Sequence, residues 1–513
     1  MRAAFVFARE GVFGSVDPSL VPPPGQLALK LARIIERRGP KHGPRLSRAL
    51  TRMGPAYLKL GQFLATRPDV VGFIMARDLE SLQDRLPPFS QEEAEAAIAT
   101  SLERPLKDVF TSFGPAVAAA SIAQVHRGEV LRDGISKSVA VKVLRPNVAS
   151  RFRRDLSDFF FVAYRAEAYS SEARRLRLIE VINTMSRSVA MEMDLRLEAA
   201  ALSEMAENTR DDPDFRVPTV DWDRTTHNVL TMEWIDGIAL NDHKRLEEAQ
   251  VDLPELGRKV IQSFLRHALR DGFFHADMHP GNLFLDDTGR LVAVDFGIMG
   301  RLGMKERRFL AEILLGFITR DYRRVAEVHF EAGYVPAHHS VENFAQAIRA
   351  IGEPIHNRTA EEISMARLLT LLLEVTGLFD MTTRPELILL QKTMVVVEGV
   401  ARVFDPRLDI WKVADPVVRE WIERNLGPIG RVQGAISGGG DLARVLMRLP
   451  DIAQRSVAVL EQLETMTREG IRLSPESIAA MGRSEGRKNR WRTVALWIIA
   501  ATFIGILIAV RNL

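Results

Sequence analysis

His275-Ala276-Asp277-Met278-His279-Pro280-Gly281-Asn282 leads into an apolar run Leu283–Leu285, a polar link Asp286-Asp287-Thr288-Gly289, a second apolar run Leu291–Val294, and then Asp295-Phe296-Gly297. The order of these pieces matters more than any one of them. Phosphoryl transfer needs one carboxylate to orient or deprotonate the acceptor and, shortly after it, an amide to hold a metal. It also needs a second carboxylate, beyond a β-hairpin, for the Mg²⁺ that bridges the phosphates. Asp277, Asn282 and Asp295 have that order and spacing. Asp277 is read as catalytic, and Asn282 and Asp295 as metal ligands. His275, Asp277 and His279 could also be read as a zinc or iron cluster. Pro280-Gly281 breaks any helix there and keeps the two imidazoles off a shared helical face. His275 is therefore expected to organise the loop by hydrogen bonds.

Working outward, Ser121–Val130 and Val139–Leu144 read as the strands of a hairpin, with Arg132-Asp133-Gly134 in its turn. Lys142, in Val139-Ala140-Val141-Lys142, fits the strand lysine that reaches the α/β phosphates of ATP. Glu198, in the helical run Glu192–Ala199, is the acid chosen to hold it. Val217–Val220 and Val229–Trp234 read as further strands. Leu230–Ile235 passes from apolar strand to hinge, where Glu233 and Ile235 would meet adenine. No G-x-G-x-x-G precedes Lys142; Ala118-Ala119-Ala120-Ser121 stands in its place. Alanine narrows φ and adds a methyl where backbone should approach phosphate, so nucleotide is handled differently from an ordinary kinase.

Further upstream, Leu46, Leu50, Met53, Tyr57, Leu60 and Leu64 form a helical stripe interrupted by Gly54-Pro55, which predicts two helices or a kink. Residues 90–112 and 151–209 are helical in pattern. Residues 17–25 (DPSLVPPPG) read as an extended loop, and Lys30, Arg33, Arg37 and Arg38 as the solvated face of a basic helix. Ser437-Gly438-Gly439-Gly440-Asp441 reads as a linker.

The 513 residues carry 69 Lys+Arg against 66 Asp+Glu, so no charge excess advertises nucleic-acid binding. No cysteine is present, which excludes disulfides, thiolate zinc sites, iron–sulfur clusters and a cysteine nucleophile. The N-terminal MRAAFVFAREGVFG does not read as a secretory signal, because Glu10 interrupts its apolar run. Thr493–Val510 is an uncharged stretch preceded by Arg483, Arg487, Lys488, Arg490 and Arg492. It predicts a single transmembrane helix, with the preceding chain on the cytosolic side. A buried core helix is the alternative for this segment.

Four elements in order resemble the UbiB family of atypical kinase-like proteins, tied to ubiquinone biosynthesis. They are Lys59-Leu60-Gly61-Gln62, the alanine-rich Ala118–Ser121 with Gln124-Val125-His126, Glu192-Met193-Asp194, and the set Asp277, Asn282 and Asp295. The resemblance covers residues 43 to 410. It implies an α+β, protein-kinase-like bilobal fold with an N-terminal helical extension and a C-terminal transmembrane helix. The corresponding division is 1–114 extension, 115–235 N-lobe, 236–410 C-lobe, 411–492 helical tail and basic linker, and 493–510 span. It further implies ATP and Mg²⁺ as cofactors, catalytic roles for Lys59 and Gln62 beside Asp277, and regulatory roles for Glu192 and Asp194, both meeting Lys59. Membrane lipid or a quinone precursor and the enzymes of ubiquinone biosynthesis are the implied partners, at the bacterial inner membrane, with no nucleic acid. Residues two apart on one straight helix face away from each other, so Glu192 and Asp194 can share Lys59 only if the helix bends or starts there. Two other functions compete: a small-molecule phosphotransferase of the aminoglycoside or choline kinase type, and a non-catalytic lipid-binding scaffold gated by ATP.

Overall fold

The computed structural model describes residues 2–12, 45–65, 71, 79, 82, 86–169, 174, 176–355, 375–381 and 385–426. The proline-rich loop, the basic stretch near residue 30, the glycine linker and the 493–510 segment lie outside them. Among the described residues no helix is long and apolar enough to cross a membrane.

Helix α1 (Arg2–Arg9) precedes α2 (Arg45–Met53) and α3 (Pro55–Ala65). Gly54 separates the last two at a φ of 110°, a conformation open to glycine, and Pro55 starts the next helix where its missing N–H costs nothing. The break also shifts the helical phase. Leu50, Met53 and Tyr57 are buried as the stripe predicts, but Ala56 and Leu58 join them. This face packs on α6 (Val148–Tyr169) and α7 (Leu178–Glu192) through Phe152, Phe159, Ile182, Met185 and Val189.

Between these helices comes α4 (Gln91–Leu102), opened by a reciprocal capping box of Ser90 and Glu93, and the short α5 (Leu106–Val109). They cover one face of a four-stranded antiparallel sheet, β1-β2-β3-β5, through Ile98, Val109, Val139, Val141, Val143 and Val229. Its strands are β1 (Ser112–Ala119), β2 (Ala123–Arg132), β3 (Ile135–Leu144) and β5 (Val229–Glu233). The β2–β3 hairpin turns at Asp133-Gly134, as expected. Strand β1 was not expected. Gly114, Pro115 and the alanines are poor strand formers, and they are tolerated because β1 is an edge strand with irregular register against β2.

A second sheet runs β4-β9-β8-β6, with β4 (Phe215–Arg216), β6 (Gly237–Ala239), β8 (Leu283–Asp286) and β9 (Leu291–Ala293). The expected β8–β9 hairpin is present. The expected strand Val217–Val220 is not: the pairing falls on Phe215–Arg216, and Val220 makes only an isolated bridge to Met232. β7 (Phe273–His275) pairs with β10 (Met299–Arg301), both too short to leave a periodic signal.

The remaining helices are α8 (Leu195–Asn208), α9 (His243–Glu248), α10 (Leu253–Arg266), α11 (Met304–Thr319), α12 (Tyr322–Glu331), α13 (Val341–Gly352), α14 (Pro385–Phe404) and α15 (Ile410–Leu426). α10 and α14 approach so closely that a Cβ on Gly257 would stand 3.1 Å from the Ala401 carbonyl oxygen. α10 ends in a wide π turn, His267–Asp271, whose His267 and Arg270 side chains both hold the buried Asp212.

Gly300 lies opposite Phe274 in the β10–β7 pair, and a Cβ there would stand 2.1 Å from the ring. Phe274 is fully buried and stacks edge-on against Phe264, so it cannot move aside. Gly300→Ala is therefore expected to cost about 1–3 kcal/mol, read as a fall in Tm. Combined with Phe274→Leu, it should add little to the loss from Phe274→Leu alone.

Candidate active site

Lys142 sits mid-strand on β3, and Glu198 in the first turn of α8. Lys142 Nζ donates to both carboxylate oxygens of Glu198 at 2.7 and 2.9 Å, and to Asp295 Oδ1 at 2.9 Å. Burial opposes the lysine's charge, but Asp295 and Glu198 outweigh it and hold its pKa above the ordinary value. The Lys142 charge lowers Asp295 in turn. Burial raises Glu198 against the pull of Lys142. Asp295 adopts a left-handed φ of 63°, and the next N–H, of Phe296, donates to Glu198 Oε1 at 3.2 Å. The sharp backbone turn thus brings two carboxylates from distant segments onto one ammonium.

The acidic loop is tied to the same place. His275 is buried; its Nδ1 accepts from the Asp277 N–H at 3.1 Å, which leaves Nε2 to donate to the Val294 carbonyl at 3.3 Å. Burial lowers its pKa, keeping the ring neutral for this one-acceptor, one-donor role. Asn282 Nδ2 donates to the Asp277 carbonyl and to Asp277 Oδ2 at 3.1 and 3.3 Å, while its own carbonyl accepts from the Val294 N–H at 2.9 Å. Asp277, Asn282 and Asp295 are therefore brought together, and His275 is the organiser that the proline after His279 implied. His279 Nδ1 accepts from Gly281 N–H at 3.2 Å.

The alanine stretch is the end of β1 and the tip of its hairpin. Ala118 and Ala119 pair with Val125 and Gln124; Ala120 N–H donates to the Ala123 carbonyl at 2.8 Å, and Ser121 is buried. Arg145, which the sequence reading did not single out, donates from Nε and Nη2 to the Ala120 carbonyl at 3.1 and 2.9 Å. It also reaches the Pro87 carbonyl at 2.8 Å. The tip is held by a fixed cation, not left as a free glycine loop. Thr393, buried on α14, was also missed: its Oγ1 donates to the Ala276 carbonyl at 3.0 Å, directly before Asp277. A threonine inside a helical run carries no sequence signal of such a contact.

Lys59 and Gln62 share one face of α3, both half-buried, and Lys59 Nζ meets Glu192 Oε2 at 2.6 Å. Gly61 between them lies against Leu50 and Leu82, where a Cβ would stand within 2.7 Å of each. The pairing expected for Asp194 differs. α7 ends at Glu192, and Asp194 caps α8, accepting from Arg196 N–H at 3.1 Å and pairing with the Arg196 guanidinium at 2.7 Å. The helix does break between Glu192 and Asp194, and the break turns Asp194 to the next helix.

At the hinge, Glu233 closes β5 and Ile235 lies in the link to β6. The Glu233 side chain is engaged by Arg216 Nη1 at 2.9 Å and the Thr219 N–H at 3.2 Å. Arg216 Nε binds Asp286 Oδ2 at 2.8 Å, so one arginine joins the hinge to the β8–β9 turn.

A family model described as the ABC1 atypical kinase-like domain matches residues 81–329, and one described as the UbiB helical domain matches 348–409. The curated Marinobacter nauticus protein named "Probable protein kinase UbiB" is 37% identical over 98% of this chain and 93% of its own. A Pseudomonas aeruginosa protein of the same name is 39% identical over 75% of this chain and 73% of its own. The solved Mycobacterium tuberculosis protein Rv3197, in complex with erythromycin, superposes with a TM-score of 0.51 at 24% identity, covering 77% of this chain and 97% of that one. That likeness shows the kinase-like α+β fold. The chain belongs to the UbiB family of atypical kinase-like proteins.

Burial opposes ionisation of Asp286, but Arg216, Thr288 and the Arg290 N–H outweigh it and bring its pKa down to about 2. A depressed carboxylate stabilises the fold above its unfolded pKa and loses that contribution as pH falls through the folded value. Asp286→Asn should cost on the order of 2 kcal/mol near neutrality. The Tm gap to wild type should close as pH drops from 3.8 toward about 2.

Proposed function

We propose that this chain is an ATP-dependent, membrane-anchored kinase-like protein that supports ubiquinone biosynthesis. The observation that carries the reading is the single ammonium of Lys142 held between Glu198 and Asp295, with the Asp277–Asn282 loop bonded to the same backbone through His275.

The donor set fits a hard cation: a carboxylate oxygen on Asp295 and an amide oxygen on Asn282, with the Lys142 ammonium beside that carboxylate to meet phosphate oxygens. Asn282 and Asp295 would hold Mg²⁺, which supplies charge neutralisation for the phosphates of ATP. Lys142 would bind the α/β phosphates while Glu198 keeps it in place. Ala118–Ser121, stiffened by Arg145, would close over the nucleotide, and the backbone at Glu233 and Ile235 would meet adenine. Asp277, oriented by Asn282, would hold the acceptor's proton. Lys59 and Gln62, with Glu192 paired to Lys59, would govern access from the extension. The corresponding bodies are 1–114, 115–235 and 236–410, followed by a tail and linker to residue 492.

A small-molecule phosphotransferase of the aminoglycoside or choline kinase type would share the acidic loop, but gives no purpose to the packed extension or to the Lys59–Glu192 pair. A non-catalytic scaffold would bind ATP without turning it over. Lipid or a quinone precursor and the enzymes acting on it are the proposed partners, at the bacterial inner membrane.

Asp295→Asn keeps the shape and removes the charge that would face the metal. It is expected to weaken Mg²⁺-dependent ATP binding at least ~30-fold, equivalent to about 2 kcal/mol, and to abolish turnover. Unchanged Mg²⁺-dependent affinity would reject the site.

Residues 493–510 are proposed as the anchor. Removing 493–513 should release the protein from membranes on fractionation with its Tm unchanged; firm retention would place the anchor elsewhere.

A further inference from the structure

His338 and His339 lie in the link between α12 and α13, just before the α13 cap Ser340; Asp380 lies in the turn after Gly377. Among the described residues these three are the group of His, Asp or Glu whose ligand atoms all lie within 4.8 Å of one another. His339 Nε2 is 3.2 Å and His338 Nε2 is 3.7 Å from the same atom, Asp380 Oδ2. The ring centroids are 4.2 Å apart. The chain turns here, with the His339 N–H donating to the Pro336 carbonyl at 3.1 Å, and both imidazoles face one oxygen. A hydrogen bond from His339 explains one ring. The second stands 3.7 Å from the same oxygen, beyond hydrogen-bond reach, and is kept beside it by its contact with the His339 ring.

The cluster stands on a firm base. Phe379 packs against His339 and Phe344 at 5.3 and 4.9 Å, within an apolar cluster that includes Tyr322, Val325 and Ile348. Asp380 takes a left-handed φ of 47°, a conformation that Asp tolerates better than most residues. Above this base, the side chains of His338 and Asp380 are each 67% exposed, open to an ion from solution.

We propose that His338, His339 and Asp380 bind a divalent metal ion of the zinc class. Two imidazole nitrogens, one carboxylate oxygen and a water in the fourth place are a donor set such ions take, while Mg²⁺ and Ca²⁺ favour oxygen alone. With bonds of about 2.0–2.1 Å, tetrahedral ligand atoms stand roughly 3.3 Å apart. The His339–Asp380 pair already has that spacing, and the exposed His338 has only to swing inward. The ion would fasten the α12–α13 link to a turn 41 positions further along the chain. Binding only the folded form, it would stabilise that form. The site is separate from the proposed nucleotide chemistry and stands or falls without it.

The test uses untagged full-length protein stripped with chelator, kept in excess Mg²⁺, and titrated with Zn²⁺ by calorimetry and with Co²⁺ by visible absorption. One ion per chain is expected, with the intense absorption of four-coordinate Co²⁺ and a rise in Tm on adding Zn²⁺. His338→Ala and Asp380→Asn should each weaken binding at least about tenfold and remove the Tm rise. Both should leave the stripped protein's Tm near wild type, since both side chains are exposed. Absence of stoichiometric binding, or wild-type affinity in both variants, would overturn the proposal and reduce the cluster to the His339–Asp380 hydrogen bond. Loss of the ion in Asp295→Asn with retention in His338→Ala would place it in the acidic loop, and would also overturn the proposal.

Discussion

The contact of Lys142 with Glu198 and Asp295 is the constraint around which the kinase-like body is arranged. A lysine side chain that is only 12% exposed is costly unless its charge is met. Two carboxylates meet it, one from a helix and one from the turn after a hairpin. Each must arrive at hydrogen-bond distance, so β3, α8 and the β9–β10 link are fixed relative to one another. Removing one partner of such a buried pair typically costs ~3–5 kcal/mol, because the survivor keeps its desolvation penalty. The left-handed backbone at Asp295 is strain accepted for the same end.

That constraint is carried outward through the backbone. Glu198 sits one turn into α8, whose cap is Asp194; two residues earlier α7 ends at Glu192, the partner of Lys59. The extension is thus joined to the Lys142 site by one short run of chain, with an ion pair at each end. The close approach at Gly61 sets how far α3 can shift before Leu50 and Leu82 collide with it.

What could be read from the sequence follows physical range. The β2–β3 and β8–β9 hairpins and the α2–α3 break were legible because turn residues and period act locally. The nearness of Asp277, Asn282 and Asp295 was expected from their order along the chain, and the fold does bring them to one place. β1 was not, since its residues disfavour a strand and only β2 makes them one. Arg145 and Thr393 were invisible because each acts on a carbonyl far away in sequence, and a carbonyl has no letter. Asp194 was misdirected because family likeness paired it with Lys59, whereas the nearer Arg196 and the α8 cap compete for the same oxygens.

The Thr393 contact and the close approach of Gly257 to Ala401 bear on how the protein unfolds. They cross between the stretches matched by the two family models, 81–329 and 348–409. Separating α14 from α10 would strip a buried carbonyl of its donor beside Asp277 and open a groove where two backbones now touch. The described residues as far as Asn425 form one compact unit. Packing therefore crosses the boundary between the two matched stretches, and neither has a finished surface of its own on that side.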